Sequence, residues 1–161
     1  MKKIAFLLFF LFVAVLTSAI YQVTHQGWVR YRQAESHYAR GAFQEAIPLY
    51  AEAMQKGVDK KELTQRLAQS YASAGEIAQA ITLFEKLRAE APQNRAVLLV
   101  LSDLYIRTGD ISHAIDLYRG LLKAEPDNRA LQVGLARLLI RDNRFQDAVD
   151  LYRKALRETS S

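Results

Sequence analysis

Residues 109–128 read GDISHAIDLYRGLLKAEPDN, and 34 places earlier residues 75–94 read GEIAQAITLFEKLRAEAPQN. The two copies share a glycine, then isoleucine, alanine, isoleucine, leucine and an aromatic at matching places, and finally proline and asparagine. The same columns extend in both directions. Ala46, Ala80, Ala114 and Ala148 stand 34 apart, as do Leu49, Leu83, Leu117 and Leu151, and Ile47, Ile81, Ile115 and Val149. Tyr50, Phe84, Tyr118 and Tyr152 keep this step, and so do Phe43, Ile77, Ile111 and Phe145. Gly41, Gly75 and Gly109 form a further column, which Asn143 completes. No gap interrupts the register, so residues 27–161 divide into units 27–60, 61–94, 95–128 and 129–161. A fixed period of this length is the mark of a repeat architecture.

Each unit reads as two helices. In the third, Leu98, Leu101, Ser102 and Tyr105 fall on one face at helical spacing. Thr108-Gly109-Asp110 then breaks the chain, with Gly109 suited to a left-handed cap and Asp110 to an N-cap. A second helix carries Ile111, Ala114, Ile115, Tyr118 and Leu122 on its inner stripe. It stops before Glu125-Pro126-Asp127-Asn128, because proline cannot continue it, and Asn128 caps the next helix. Unit two closes the same way at Ala91-Pro92-Gln93-Asn94, and Asp59 with Glu62 reads as a capping box opening that unit. The alanine column marks where two antiparallel helices approach too closely for a larger side chain. No unit can bury its own stripe, so the copies depend on their neighbours.

Composition agrees with a packed domain. The 161 residues are 50% apolar and include no cysteine, which excludes a disulfide scaffold, a thiolate metal site and a cysteine nucleophile. The formal charge is +5, but Lys2 and Lys3 belong to the N-terminal segment; the rest holds 20 basic and 17 acidic residues. That sign-mixed surface is no footprint for nucleic acid.

Behind Met1-Lys2-Lys3, the run Ile4 to Leu16 contains no polar residue and leads into Thr17-Ser18-Ala19-Ile20-Tyr21. A basic start and a long apolar run fit a single-span anchor over residues 4–21, with Tyr21 and Trp28 at the interface, or a signal peptide cut after Ala19. The anchor reading makes 1–21 the membrane segment and 22–26 a short linker. Either reading keeps the two lysines in the cytosol and exports the chain beyond Tyr21, so the expected home is a bacterial inner membrane facing the periplasm.

These columns resemble the tetratricopeptide repeat family across residues 27–161. Ala34, Ala68, Ser102 and Ala136 take the family's small place in the first helix; Leu67, Leu101 and Leu135 precede it, and Tyr71 and Tyr105 stand three later. Pro92 and Pro126 match its closing proline, while unit one departs with Gln33, His37 and Val58 at the Leu, Tyr and Pro places. The resemblance implies an all-α, right-handed superhelical α-solenoid of helix-turn-helix repeats, preceded here by one apolar helix. It also implies that the first helices line a concave, partner-binding face.

Mapped onto this chain, that face holds Tyr31, Arg32, Tyr38 and Arg66 in its N-terminal half. Its C-terminal half holds Leu99, Val100, Asp103, Ile106 and Arg107, then Val133, Arg137, Ile140 and Arg141. An apolar groove edged by arginines suits an amphipathic or extended segment; the competing reading makes Leu99, Ile106, Val133 and Ile140 core. The carboxylate clamp of some family members is not supported, since Tyr31, Glu35, Arg66, Ala96 and Val100 occupy its places. The resemblance implies a closing polar helix after the last copy, and the 161 residues stop directly after the fourth, so an open array end is the expectation. Val149, Tyr152 and Leu156 therefore form an end surface that a partner or second copy covers, or that Arg153, Lys154 and Arg157 shield with their stems.

No catalytic, cofactor or metal site is expected. His25, His37 and His113 are scattered without partners at ligand or triad spacing, and Asp142, Asp147 and Asp150 sit among Arg144 and Lys154 as ordinary helical charge pairs. The expected function is a non-catalytic scaffold that holds a protein or peptide partner at the membrane while an envelope complex is assembled or operated. The alternatives are a structural subunit that stacks through its array ends, as a homo-oligomer or within a hetero-complex, and a cleaved, soluble periplasmic chaperone-like protein.

Overall fold

Asn94, Asp110 and Asn128 open helices because a short polar side chain can accept the backbone N–H groups that the first turn leaves unpaired. A computed structural model describes residues 2–58 and 60–157, with side chains from residue 9 onward apart from those at 19, 23, 24, 60 and 157. In it the Asn94 side chain accepts from the N–H of Ala96 at 3.1 Å and Val97 at 3.3 Å. Asp110 accepts from His113 and Asn128 from Leu131, each at 3.2 Å. Asp59 of the expected capping box and the terminal residues 158–161 lie outside the described residues.

Eight helices and no strand make up the described chain: α1 (Lys2–Ala39), α2 (Phe43–Gln55), α3 (Lys60–Ala74), α4 (Ile77–Glu90), α5 (Arg95–Thr108), α6 (Ile111–Ala124), α7 (Arg129–Arg141) and α8 (Phe145–Arg157). The all-α repeat fold expected from the columns is what forms. Residues 22–26, the expected linker, are helical and lie within α1.

The glycine column has a single geometric cause. Gly41, Gly75 and Gly109 adopt φ of 75°, 85° and 83°, and Asn143 takes the same left-handed place at 59°. Behind three of them the chain doubles back with the same pair of bonds. Ala42 N–H donates to the His37 carbonyl at 2.9 Å, Asp110 to Tyr105 at 2.9 Å and Arg144 to Leu139 at 2.8 Å. This is the Schellman turn, which satisfies the last carbonyls of the first helix and aims the second helix back along it. The same device explains Val58, which stands where the family has proline. Gly57 at φ 85° turns α2 off, Val58 N–H reaches the Ala53 carbonyl at 3.3 Å, and the Val58 side chain is buried.

The helices form two compact units, 1–75 and 76–161. In the first, α2 packs on both α1 and α3. Its core is Ala34, Ala46, Tyr50, Ala53, Val58, Leu63, Leu67 and Ala68. Gly27 is buried where α1 meets the end of α2: a Cβ there would lie 2.9 Å from Val58 Cγ2 and 3.2 Å from the Lys56 carbonyl. In the second unit each of α4 to α8 packs on the next. The alanine column is buried throughout, at Ala46, Ala80, Ala114 and Ala148, which places methyl groups at the closest helix approaches.

Gly134 on α7 faces the Tyr118 ring of α6 so closely that an added Cβ would run into it, with Tyr118 Cζ at 3.1 Å. Gly134→Ala should gain helix propensity of up to about 1 kcal/mol. Overpacking should outweigh this, at about 1–3 kcal/mol. The expected outcome is a lower denaturation midpoint, and a raised one would show that the ring moves freely.

Candidate functional site

The first helices of the repeats carry the expected partner-facing residues. In unit 1–75 Tyr31, Tyr38 and Arg66 belong to one network of polar and aromatic groups. Tyr31 on α1 donates its hydroxyl to Glu62 on α3 at 3.0 Å. Glu35, one turn on, receives the Tyr50 hydroxyl at 2.5 Å and the Arg66 Nε at 3.1 Å. The Arg66 guanidinium lies 5.6 Å from the centre of the Tyr38 ring, close enough for a cation–π attraction. Burial, and then the bond to Glu35, push the Tyr50 hydroxyl far above its usual range. Desolvation works against the charge on Arg66, but Glu35 and the Tyr31 hydroxyl outweigh it and raise its affinity for the proton. The six charged and aromatic side chains Tyr31, Glu35, Tyr38, Tyr50, Glu62 and Arg66 thus hold one another in place. Trp28 is 48% exposed beside this network, edge-on to Tyr31 at 5.6 Å, and Arg32 is exposed. A shallow cavity of about 260 Å³ opens between Glu62, Gln65, Arg66 and Gln69.

Unit 76–161 presents a different surface. Leu99 and Val133, Asp103 and Arg137, Ile106 and Ile140, and Arg107 and Arg141 occupy equal places on α5 and α7, 34 residues apart. Leu99, Val100, Ile106 and Val133 are half-buried; Asp103, Arg107, Arg137 and Arg141 are exposed. Ile140 is 43% exposed. Ile106 also packs against the core formed by Ala114, Ile115, Leu135, Ala136, Leu138, Leu139 and Ala148. Arg137 and Arg141 take part in no ion pair among the described residues. At the end of this unit Phe145, Val149 and Leu156 are 58%, 41% and 59% exposed, and Tyr152 is half-buried.

A second fixed network lies at the foot of α5. Tyr105 donates to Glu85 at 2.9 Å, Arg88 holds the other Glu85 oxygen at 2.7 Å, and the His113 ring stacks on Tyr105 at 4.9 Å. Burial, together with the bond to Glu85, pushes the Tyr105 hydroxyl up to about 12. A raised value means that folding favours the protonated form, so this stabilisation is complete below the ordinary tyrosine value near 10 and is lost as pH climbs to about 12. Melting temperature should therefore fall over that window, and less steeply in Tyr105→Phe. Parallel curves for the two proteins would contradict the assignment.

The three histidines are spread over α1 and α6. His113 Nδ1 sits 2.7 Å from Asp110, within the N-cap of α6. Arg144 with Asp147 forms an expected i,i+3 pair, and Asp150 pairs at the same spacing with Arg153. Among the described residues no group of three or more His, Asp or Glu converges as a metal site would require.

Sequence reasoning missed Gly27, Gly134 and the bonds that join helices through Glu35, Glu62 and Glu85. Gly134 did leave a trace, since its repeat column otherwise holds Arg32, Arg66 and Val100. The carboxylates left none, because each acts on a partner in another helix.

Family models described as tetratricopeptide repeat match the chain over residues 99–161 in one case and over 37–104 and 71–117 in another. Solved structures share the fold. "MamA 41-end from Desulfovibrio magneticus RS-1" superposes with a TM-score of 0.68 at 15% identity, covering 81% of this chain and 74% of that one. "MamA MSR-1 C2" gives 0.60 at 27% identity over 80% and 74%. "Crystal structure of MamA" gives 0.68 at 16% identity over 84% and 79%. No curated protein matches this chain.

Proposed function

This chain belongs to the tetratricopeptide repeat family, and from that premise we propose that it is a non-catalytic protein-interaction scaffold. It is anchored in a bacterial inner membrane by residues 4–21, holds its repeats on the periplasmic side and retains a partner segment while an envelope complex is built or operated. The observation that carries the binding role is the double row on α5 and α7. Leu99 on α5 and Val133 on α7 hold the same place on neighbouring repeats and remain partly accessible, and on α7 Ile140 is exposed along with Arg137 and Arg141. Apolar burial would supply the affinity, and the arginines the orientation of the partner. The anchor draws support from α1, where Phe9, Leu11, Phe12, Val15 and Leu16 are exposed on a helix long and apolar enough to cross a bilayer.

Partner capture tests this reading. The full chain, crosslinked in membranes and affinity-purified, should recover a protein that the triple variant Ile140→Asp, Arg137→Glu, Arg141→Glu loses at least tenfold. Melting should barely change, because all three positions are exposed. Ile106 is left intact because its core contacts would confuse binding with folding. Equal recovery by both proteins would refute the groove. A C-terminal phosphatase reporter that is active only outside the cytosol should score positive, and the mass of the mature N-terminus should show residues 1–21 retained. A cut after Ala19 would instead make the protein soluble in the periplasm.

A further inference from the structure

On α8 the residues Phe145, Val149, Tyr152 and Leu156 succeed one another at steps of four, three and four, which lines them up along one side of the helix. Three of them rank among the most exposed large apolar side chains of the repeat region. One repeat earlier, α6 carries Ile111, Ile115, Tyr118 and Leu122 at the same four places. There Ile115 is buried, and the other three pack against the cluster that includes Leu135, Leu138 and Leu139 of α7. Internal copies thus show what this stripe takes: another helix, laid close. Where α7 meets α6 it offers Gly134, which admits the Tyr118 ring.

Two copies of the chain could meet here in two ways. In a head-to-tail stack, α1 of the second copy would take the place that α7 holds on α6. The residue of α1 equivalent to Gly134 is Arg32, and its exposed neighbours are Gln33, Ser36 and Arg40. Burying those against four apolar side chains would strip water from a guanidinium with no partner supplied. The other way is isologous, with α8 against α8. The charges then choose the direction. The first half of α8 carries Asp147 and Asp150, which also pair with Arg144 and Arg153 of the same copy, and its second half carries Arg153, Lys154 and Arg157. Antiparallel helices set the acidic half of each against the basic half of the other; parallel helices set like against like.

We infer that α8 pairs antiparallel with the α8 of a second copy of this chain, in a two-fold interface built from Phe145, Val149, Tyr152 and Leu156. This surface is separate from the α5 and α7 rows, so the inference stands apart from the groove reading. In the pair, Phe145 of one copy lies beside Leu156 of the other, and Val149 beside Tyr152. The two Phe145 residues are about 16 Å apart, at about 1.5 Å of rise per residue.

The natural chain has no cysteine, so single substitutions report without background. Full-length Phe145→Cys and Leu156→Cys, oxidised in detergent as separate preparations, should each stay uncrosslinked, because a disulfide needs Cα atoms within about 7 Å. Mixed, they should yield a covalent dimer. Light scattering on the unmodified chain should give twice the monomer mass, and Val149→Glu with Leu156→Glu should return it to monomer with its helical circular dichroism kept. The proposal fails if the unmodified protein is monomeric at high concentration. It fails equally if Phe145→Cys crosslinks to itself, as a parallel pair would, or if the dimer survives both glutamates, which would assign it to α1.

Discussion

Replacing Phe84 by alanine is expected to cost unit 76–161 about 3–5 kcal/mol, a large part of the stability of a domain this size. The ring is buried on α4, which packs on α5, and it occupies the column that Tyr118 fills one repeat later. Truncation removes the apolar area and leaves a cavity, since α4 and α5, joined by the short turn that Asn94 caps, collapse only partly into it. Amide exchange in the full chain should speed up most in α4 and α5. Unchanged protection there would mean that the aromatic column is not what holds successive helices together.

Tyr50→Ala should cost unit 1–75 a similar amount, about 3–5 kcal/mol, and Tyr50→Phe distinguishes the reasons. Tyr50 is buried, and its hydroxyl bonds to the Glu35 carboxylate at 2.5 Å. Phenylalanine keeps the ring and removes only that bond to a charged group, a loss of about 1.5–3 kcal/mol. Glu35 still holds Arg66 at 3.1 Å, which favours the lower end. If the two variants melt together, the hydroxyl bond carries the stability. If Tyr50→Phe matches the unmodified protein, the bond contributes nothing and packing accounts for the whole effect.

Much of this fold was legible before any coordinates. Asn94, Asp110 and Asn128 cap their helices, and Gly109 turns left-handed, because those roles depend on the few residues on either side. Asn143 was readable as a glycine substitute for the same reason, since its short amide tolerates that conformation. The alanine column was legible through a non-local argument that the 34-residue period makes safe: what holds for one copy holds for all. Val58 was harder. In the sequence it stood only as a departure from the family's proline, and its burial and its bond to Ala53 show that it closes α2 by another route.

The residues proposed to face a partner divide along the same line. Sequence register placed Leu99 with Val133 and Arg107 with Arg141, but whether an apolar residue at such a place is groove or core depends on helix rotation. Ile106 and Ile140 share a column, yet Ile106 packs into the core while Ile140 is 43% exposed. The reason is what lies next to each helix.

The order of residues alone settled the repeat helices, their glycine turns, the caps at Asn94, Asp110 and Asn128 and the period, because each is decided by contacts within a turn or two of chain or by exact repetition; it did not show that α1 runs on through residues 22–26. Tertiary structure decided the rest. It brought Gly134 under the Tyr118 ring, joined Tyr31 to Glu62 and Tyr105 to Glu85, and divided the chain into units 1–75 and 76–161. Those outcomes rest on the direction a side chain takes from one helix toward another, and a few degrees of rotation about a helix axis change which atoms meet.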